Sequence, residues 1–412
     1  MRKLGRPINP HRMNPTTILF IKHNTVEHQK YTMGPLAHLK VIEMAGLGPC
    51  PMAAMLLAEM GAKVIRIDRL QEIDLGLKRP LKFDLLKRSR STIGLDLKNK
   101  DSIALVLDLI KEADILIEGF RPGVMERLGL GPEDCRAVNP KLVFGRITGW
   151  GQAGPLSQAA GHDLNYIALT GVLNTIGPKD QAPSIPLNLL GDFGGGALYL
   201  AMGVLAATLE AQRSGQGQVV DASIVDGVSS LATMFYGFMA AGMWKSERAS
   251  NSIDSGSHFC NVYECADHLY ITISPVEGRF HDLLLEKLGI DKEKFGPQMD
   301  TQAWPRMTQT LADIFKTKTQ QEWCQLLEGS DVCFAPVLSL DNAHLHPHMA
   351  QRETLVEVDG VLQPNAFPRF EKTPLDKPTP PQSINAQNTR LSLSSWLDPQ
   401  QMQHYTALGV IE

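Results

Sequence analysis

The segment "LKVIEMAGLGPCPMAAMLLAEMGAKVIRID", Leu39 to Asp68, constrains the fold more than any other stretch. It reads as an apolar strand "LKVIEMA" (39–45), a turn "GLGPCP", a helix "MAAMLLAEMG" closed by Gly61, and a second strand "KVIRID" (63–68). Two such strands joined through a helix make a βαβ unit, whose strands run parallel. Pro51 falls just before or at the first helical turn, where a missing N–H costs nothing. The theme recurs in the strand "TIGLDL" (92–97), the helix "KDSIALVLDLIKEA" (100–113) and the strands "DILIEGF" (114–120) and "KLVFGRITGWG" (141–151). Strands this apolar are covered on both faces, so the first half is an α/β layer structure with a mostly parallel sheet.

At 412 residues the chain is too long for one ordinary core, and about two domains are expected. Asp192 opens a long helix to about Arg213, "SGQG" turns the chain, and "QVVDASIVDG" supplies another strand. After about residue 226 come an apolar helix, a polar loop (245–258), a strand pair around "NVYECADHLYITIS" and amphipathic helices to about 330. That is an α+β texture. The expected divisions are 33–225, 226–345 and 346–412, the last carrying the Pro-rich connector "QPNAFPRFEKTPLDKPTPPQS" (363–383). Residues 1–32 hold six Lys/Arg against one acid and show no sustained period, which reads as a disordered extension or a start site placed upstream.

Two uncharged runs, Phe193–Leu209 and Gly227–Trp244, approach membrane length but are rich in Gly, Ala or Ser. Buried helices, and no membrane partner, are expected. A net charge of −4 gives no nucleic-acid signature. Six cysteines without CxxC spacing indicate free thiols in a reducing compartment, and no metal is expected. "HLHPHM" (344–349) reads as a polar loop, since Pro347 interrupts it and no carboxylate adjoins. "GLGP" with Asp68 fails as a dinucleotide site, because Pro49 and Pro51 remove N–H groups a pyrophosphate would need.

The chemistry concentrates elsewhere. "GHDLNYIAL" places His162 and Asp163 at a helix start, and "LLGDFGGGALYLAMG" places Asp192 at another. Each alone reads first as a helix cap. Together they are two acid/base groups, and a helix N-terminus also keeps a histidine neutral. The glycines 194–196 weaken a helix start by roughly 1 kcal/mol each, which makes sense where something approaches the backbone closely. Arg66 and Arg69 in "RIDR", Arg88 in "KRSR" and Arg121 in "EGFRPG" lie at or just after strands, where open α/β sheets bind ligands, and suit a nucleotide phosphate. A solvated rim is the plainer reading of each alone. Glu264 in "YECADHLYIT" precedes a turn at Asp267-His268 and reads first as an exposed strand-end glutamate.

From Gly34 to about Phe370 these blocks resemble the family III CoA-transferase superfamily (CaiB/BaiF-like), and within it the α-methylacyl-CoA racemase branch. The resemblance implies a Rossmann-like large domain, a smaller α+β domain and an interlocked homodimer. Each site would lie between one chain's large domain and the partner's small domain, with the C-terminal segment returning to the large domain. It assigns the catalytic roles to His162 and Asp192, with Glu264 holding the histidine and Asp163 as a second acid. Arg66, Arg69, Arg88 and Arg121 would bind coenzyme A, and N–H groups of Gly194 and Gly195 would steady an enolate.

The implied reaction inverts the α-carbon of a 2-methylacyl-CoA thioester by 1,1-proton transfer, in lipid or fatty-acid metabolism. No cofactor is implied, because coenzyme A belongs to the substrate. The alternatives are a family III CoA-transferase, with Asp192 attacking the thioester to form an acyl-aspartyl anhydride, and an acyl-CoA-binding protein without catalysis. The transferase branch lacks the "GHD" histidine and the matching glutamate, which favours proton transfer. A cytoplasmic location is expected: the chain ends "GVIE" rather than in a peroxisomal signal, while residues 1–32 leave mitochondrial import open.

Overall fold

The structure is a computed structural model that describes residues 34–70 and 78–411, so the reading of residues 1–32 lies outside the described residues. Six strands form one parallel sheet: β1 (Lys40–Met44), β2 (Lys63–Asp68), β3 (Ser91–Gly94), β4 (Ile115–Glu118), β5 (Val143–Thr148) and β6 (Val219–Ser223). Their order is β3-β2-β1-β4-β5-β6, so the chain winds one way from β1 and the other way from β4. A crevice at the carboxyl ends of β1 and β4 follows from that reversal.

Side-chain alternation along these strands builds two cores. Ile42, Met44, Ile65, Ile67, Leu116 and Phe144 face one side, where the helix Lys100–Lys111 packs. Val41, Val64, Ile115, Ile117 and Val143 face the other, covered by the helices Pro49–Glu59 and Leu198–Ser214. The period of two sends neighbours to opposite faces, and both faces are apolar because both are covered. Leu393, Trp396, Leu397 and Tyr405, from the C-terminal helices and the turn between them, join the first core, and the Tyr405 hydroxyl donates to Asp108 at 2.7 Å.

A separate core around Phe259, Tyr263, Phe315 and Trp323 backs an antiparallel sheet of β7 (Asn261–Glu264), β8 (Tyr270–Ile273) and β9 (Phe334–Val337). Helices Gly278–Leu288, Trp304–Phe315 and Gln320–Leu327 complete this α+β unit.

Two expectations need correction. The boundary at 225/226 falls inside the helix Ile224–Leu231, whose Ile224 and Val228 pack with Tyr166 and Ile167 of the large domain. Ser223 caps this helix by accepting the Asp226 N–H, which cuts the "QVVDASIVDG" strand short. The run Gly227–Trp244 is buried only at its start: Gly227, Val228 and Ala232 are buried, whereas the helix Thr233–Ala240 has no buried residue. The helical stretch Leu189–Ser214 is 39% buried over its most apolar window, with one face on the sheet and Leu198, Met202 and Leu209 exposed.

Candidate active site

His162 follows β5 through a loop and is the N-cap residue of the helix Asp163–Leu169. It is exposed, and its own N–H donates to Asn165 Oδ1 at 3.0 Å. Asp163, the first helical residue, is buried and turns away from its own helix. Its Oδ2 accepts the Asp192 N–H at 2.6 Å, and the Gly191 N–H bonds it as well. Any side chain at Gly191 would overlap that Asp163 carboxylate. Asp163 thus caps the neighbouring segment rather than its own, and its Oδ1 is buried with no hydrogen-bond partner.

Asp192 is not the helix N-cap that its sequence suggests. Helical winding starts at Leu189 and runs as a π-helix to Ala197 before continuing as the α-helix Leu198–Ser214. Such i→i+5 winding is rare and is found at functional sites. Here it commits the Gly194 and Gly195 N–H groups to carbonyls five residues back, a pattern continued by the Leu198 N–H on Phe193 O. Gly195 also packs on the helix Ile224–Leu231, where an added Cβ would lie 2.6 Å from Val228. This winding argues against Gly194 and Gly195 as free donors to a ligand, and Gly195 lets two helices approach.

The Asp192 carboxylate projects onto the end of β1. Its Oδ2 would lie 3.0 Å from a Cβ built on Gly48, which has φ +63 at the start of the helix Pro49–Glu59. Asn188 Nδ2 reaches the same oxygen at 3.4 Å. Burial first, and then the charge of Asp163, push the Asp192 carboxyl up to about 6, against smaller downward pulls from Asn188 and His162. Burial likewise raises Asp163, opposed by its two N–H donors. His162, Asp163 and Asp192 thus share one electrostatic neighbourhood at the carboxyl end of the sheet. Sequence reasoning missed Gly48, Gly191 and Asn188. The i,i+4 spacing of Asn188 from Asp192 carried a signal only if the helix began before the aspartate.

The four arginines separate into two kinds. Arg66 is buried and spends its guanidinium on Glu43 and on Asp68 at 3.1 Å. Arg88 is buried against Glu59 at 2.6 Å and Gln363 at 2.9 Å, pinning the hairpin of β10 (Leu355–Val358) and β11 (Val361–Pro364) to the large domain. Both guanidinium groups are thus buried in ion pairs within the chain, each making three of its five possible donor contacts there. Arg69 and Arg121 are exposed at the carboxyl ends of β2 and β4, and Arg121 lies near enough to Tyr166 to affect its titration.

Glu264 ends β7 and pairs with His268 Nδ1 at 2.8 Å and Lys316 Nζ at 3.2 Å, which hold its carboxyl below the usual range. Within one chain it makes no bond to His162.

The CoA-transferase family III sequence model matches residues 36–388. An alpha-methylacyl-CoA racemase of Mus musculus is 40% identical over 341 residues, 82% of this chain and 87% of that protein. One of Homo sapiens is 37% identical over 351 residues, 82% of this chain and 90% of that protein. A crystal structure of a CAIB/BAIF family protein from Brucella suis shares the fold with a TM-score of 0.74 at 23% identity, covering 89% of this chain and 100% of that one. A parallel sheet wound 3-2-1-4-5-6, two acid-bearing helix starts at its carboxyl end and these matches have one common reading: the chain belongs to the CoA-transferase family III.

Proposed function

We propose that this protein racemises the α-carbon of 2-methylacyl-CoA thioesters by 1,1-proton transfer through an enolate. One observation carries the reading: Asp192, beside His162 and Asp163, has its carboxyl raised to about 6. An ordinary aspartate is too weak a base for such a carbon acid at neutral pH, and a base poised near the working pH is effective. Inversion needs one group on each face of the planar enolate, one protonated and one not. His162 and Asp192 supply that pair, and the 40% and 37% identity to two alpha-methylacyl-CoA racemases supports the racemase reading.

The Asp163 and Leu164 N–H groups, in the first turn of the helix that His162 begins, would serve as donors to the enolate oxygen. Arg69 and Arg121 are the exposed cations left to meet the coenzyme A phosphates. Glu264 would reach a histidine only from a second chain, so this reading requires a homodimer in which the partner contributes its hairpin. The exposed methionines Met202, Met234, Met239 and Met243 offer an adaptable surface for the acyl chain.

The test is a single enantiomer of a 2-methylacyl-CoA in D2O, with and without an acceptor acid. Deuterium entering Cα with loss of optical activity is expected, and both His162→Ala and Asp192→Asn should abolish racemisation, a loss of about 10²–10⁴-fold for one acid/base group. Coenzyme A transfer without exchange, through an aspartyl anhydride trapped by hydroxylamine, would overturn the proposal in favour of the transferase. Tight thioester binding with neither reaction would leave a binding protein.

A further inference from the structure

Tyr166 stands one turn after His162 on the same short helix, and it is buried. Its hydroxyl donates to the Gly161 carbonyl oxygen. The N–H of that same peptide unit, His162 N–H, donates to Asn165 Oδ1 at 3.0 Å. Both polar atoms of the peptide preceding His162 are thus held by side chains. The Tyr166 N–H adds a bond to the His162 carbonyl at 3.3 Å.

The ring that carries the hydroxyl has little freedom. It lies in a notch where any side chain on Gly149 would overlap it, and a Cβ on Gly161 would come within 2.7 Å of Cε1. Trp150 closes the notch edge-on, with ring centroids 4.7 Å apart and planes at 88°. Asn165 is accounted for by ordinary helix capping. Tyr166 is not, since a tyrosine reaching back to a carbonyl before the helix satisfies none of that helix's own unpaired groups. Burial and the nearby Asp192 charge push the phenol up to about 12, so it remains a neutral donor across the working pH range.

We propose that Tyr166 is a positioning residue for His162: by fixing the Gly161–His162 peptide plane it aims the imidazole at the α-carbon opposite Asp192. This role rests on the racemase reading above. It gives His162 a definite direction although the side chain itself is exposed. The Asp192 side of the site is held separately, by Asp163, Asn188 and Gly48.

Tyr166→Phe keeps the ring and the packing and removes one hydrogen bond, so the thermal midpoint should change little. The informative readout is solvent exchange measured separately from each pure enantiomer in D2O. The enantiomer whose exchange is lost in His162→Ala is the one served by the histidine. In Tyr166→Phe exchange from that enantiomer should fall about tenfold with KM within about twofold, while exchange from the other stays within about twofold. Equal loss from both enantiomers, or loss from neither, with wild-type exchange intact, would overturn the positioning role and leave the racemase reading standing. Absence of exchange in the wild type would overturn both.

Discussion

Two groups of buried charge occupy the carboxyl half of the same sheet, and they are built on opposite rules. Around Glu43 every charge is answered: Arg66 and Arg90 both bond its carboxylate, with Arg90 Nε at 2.6 Å, and Arg90 also donates to the Arg88 and Pro51 carbonyls. Around Asp192 two carboxylates lie close enough to repel, Asp163 Oδ1 has no partner, and no guanidinium bonds either acid among the described residues. Enclosed, balanced charge holds strands together. Partly buried, unbalanced carboxylates keep protons that solvent would otherwise remove, which is what a proton-transfer site requires.

The contrast can be broken most forcefully on the balanced side. Glu43→Gln leaves the buried Arg90 without a carboxylate and Arg66 with Asp68 alone, and should cost about 3–5 kcal/mol, read as a lower denaturant midpoint. Asp192→Asn, by comparison, should leave the midpoint unchanged or raised. Next in size is Gly48→Ala. Its Cβ would press on Asp192 Oδ2 at 3.0 Å while φ is +63, so the carboxylate must move. A misplacement of about 1 Å is expected to cost about 10²-fold in turnover, with a smaller stability loss of order 1–3 kcal/mol from the backbone strain.

The smallest effect is the most specific. Asp163→Asn removes the neighbouring charge that helps to raise Asp192, so the limb of the pH–rate profile near 6 should move to lower pH. The sign also holds for stability. A carboxyl raised in the folded state binds its proton there more tightly than in the unfolded chain. Its contribution is therefore greatest below the unfolded value and is lost as pH rises through about 6. Wild type should consequently lose stability relative to Asp192→Asn as pH rises across that window, as denaturation at stepped pH would show.

Much of this was legible beforehand because it is local. The strand β2 coincides with "KVIRID", and the prolines and Gly61 bracket the first crossover helix, since period and turn chemistry act within a few residues. Asp192 was misplaced at a helix cap because i→i+5 winding over only 9 residues is too short to print a period in the sequence. The ion pairs of Arg66 and Arg88 were not legible because a basic residue at a strand end looks the same whether it meets solvent or a glutamate 23 or 29 positions away in the chain.

The sequence by itself determined the α/β class and the parallel sheet and singled out His162, Asp163 and Asp192 as candidates, because alternation and residue chemistry are written in order along the chain. Only the tertiary structure decided which charges are spent and which are left over. Asp163 caps a segment 29 residues away, Gly48 seats a carboxylate that arrives from beyond β5, and two of four arginines vanish into ion pairs. Whether an ionisable group serves the fold or the chemistry depends on the partners that packing brings to it, and pairings across such distances leave no local pattern.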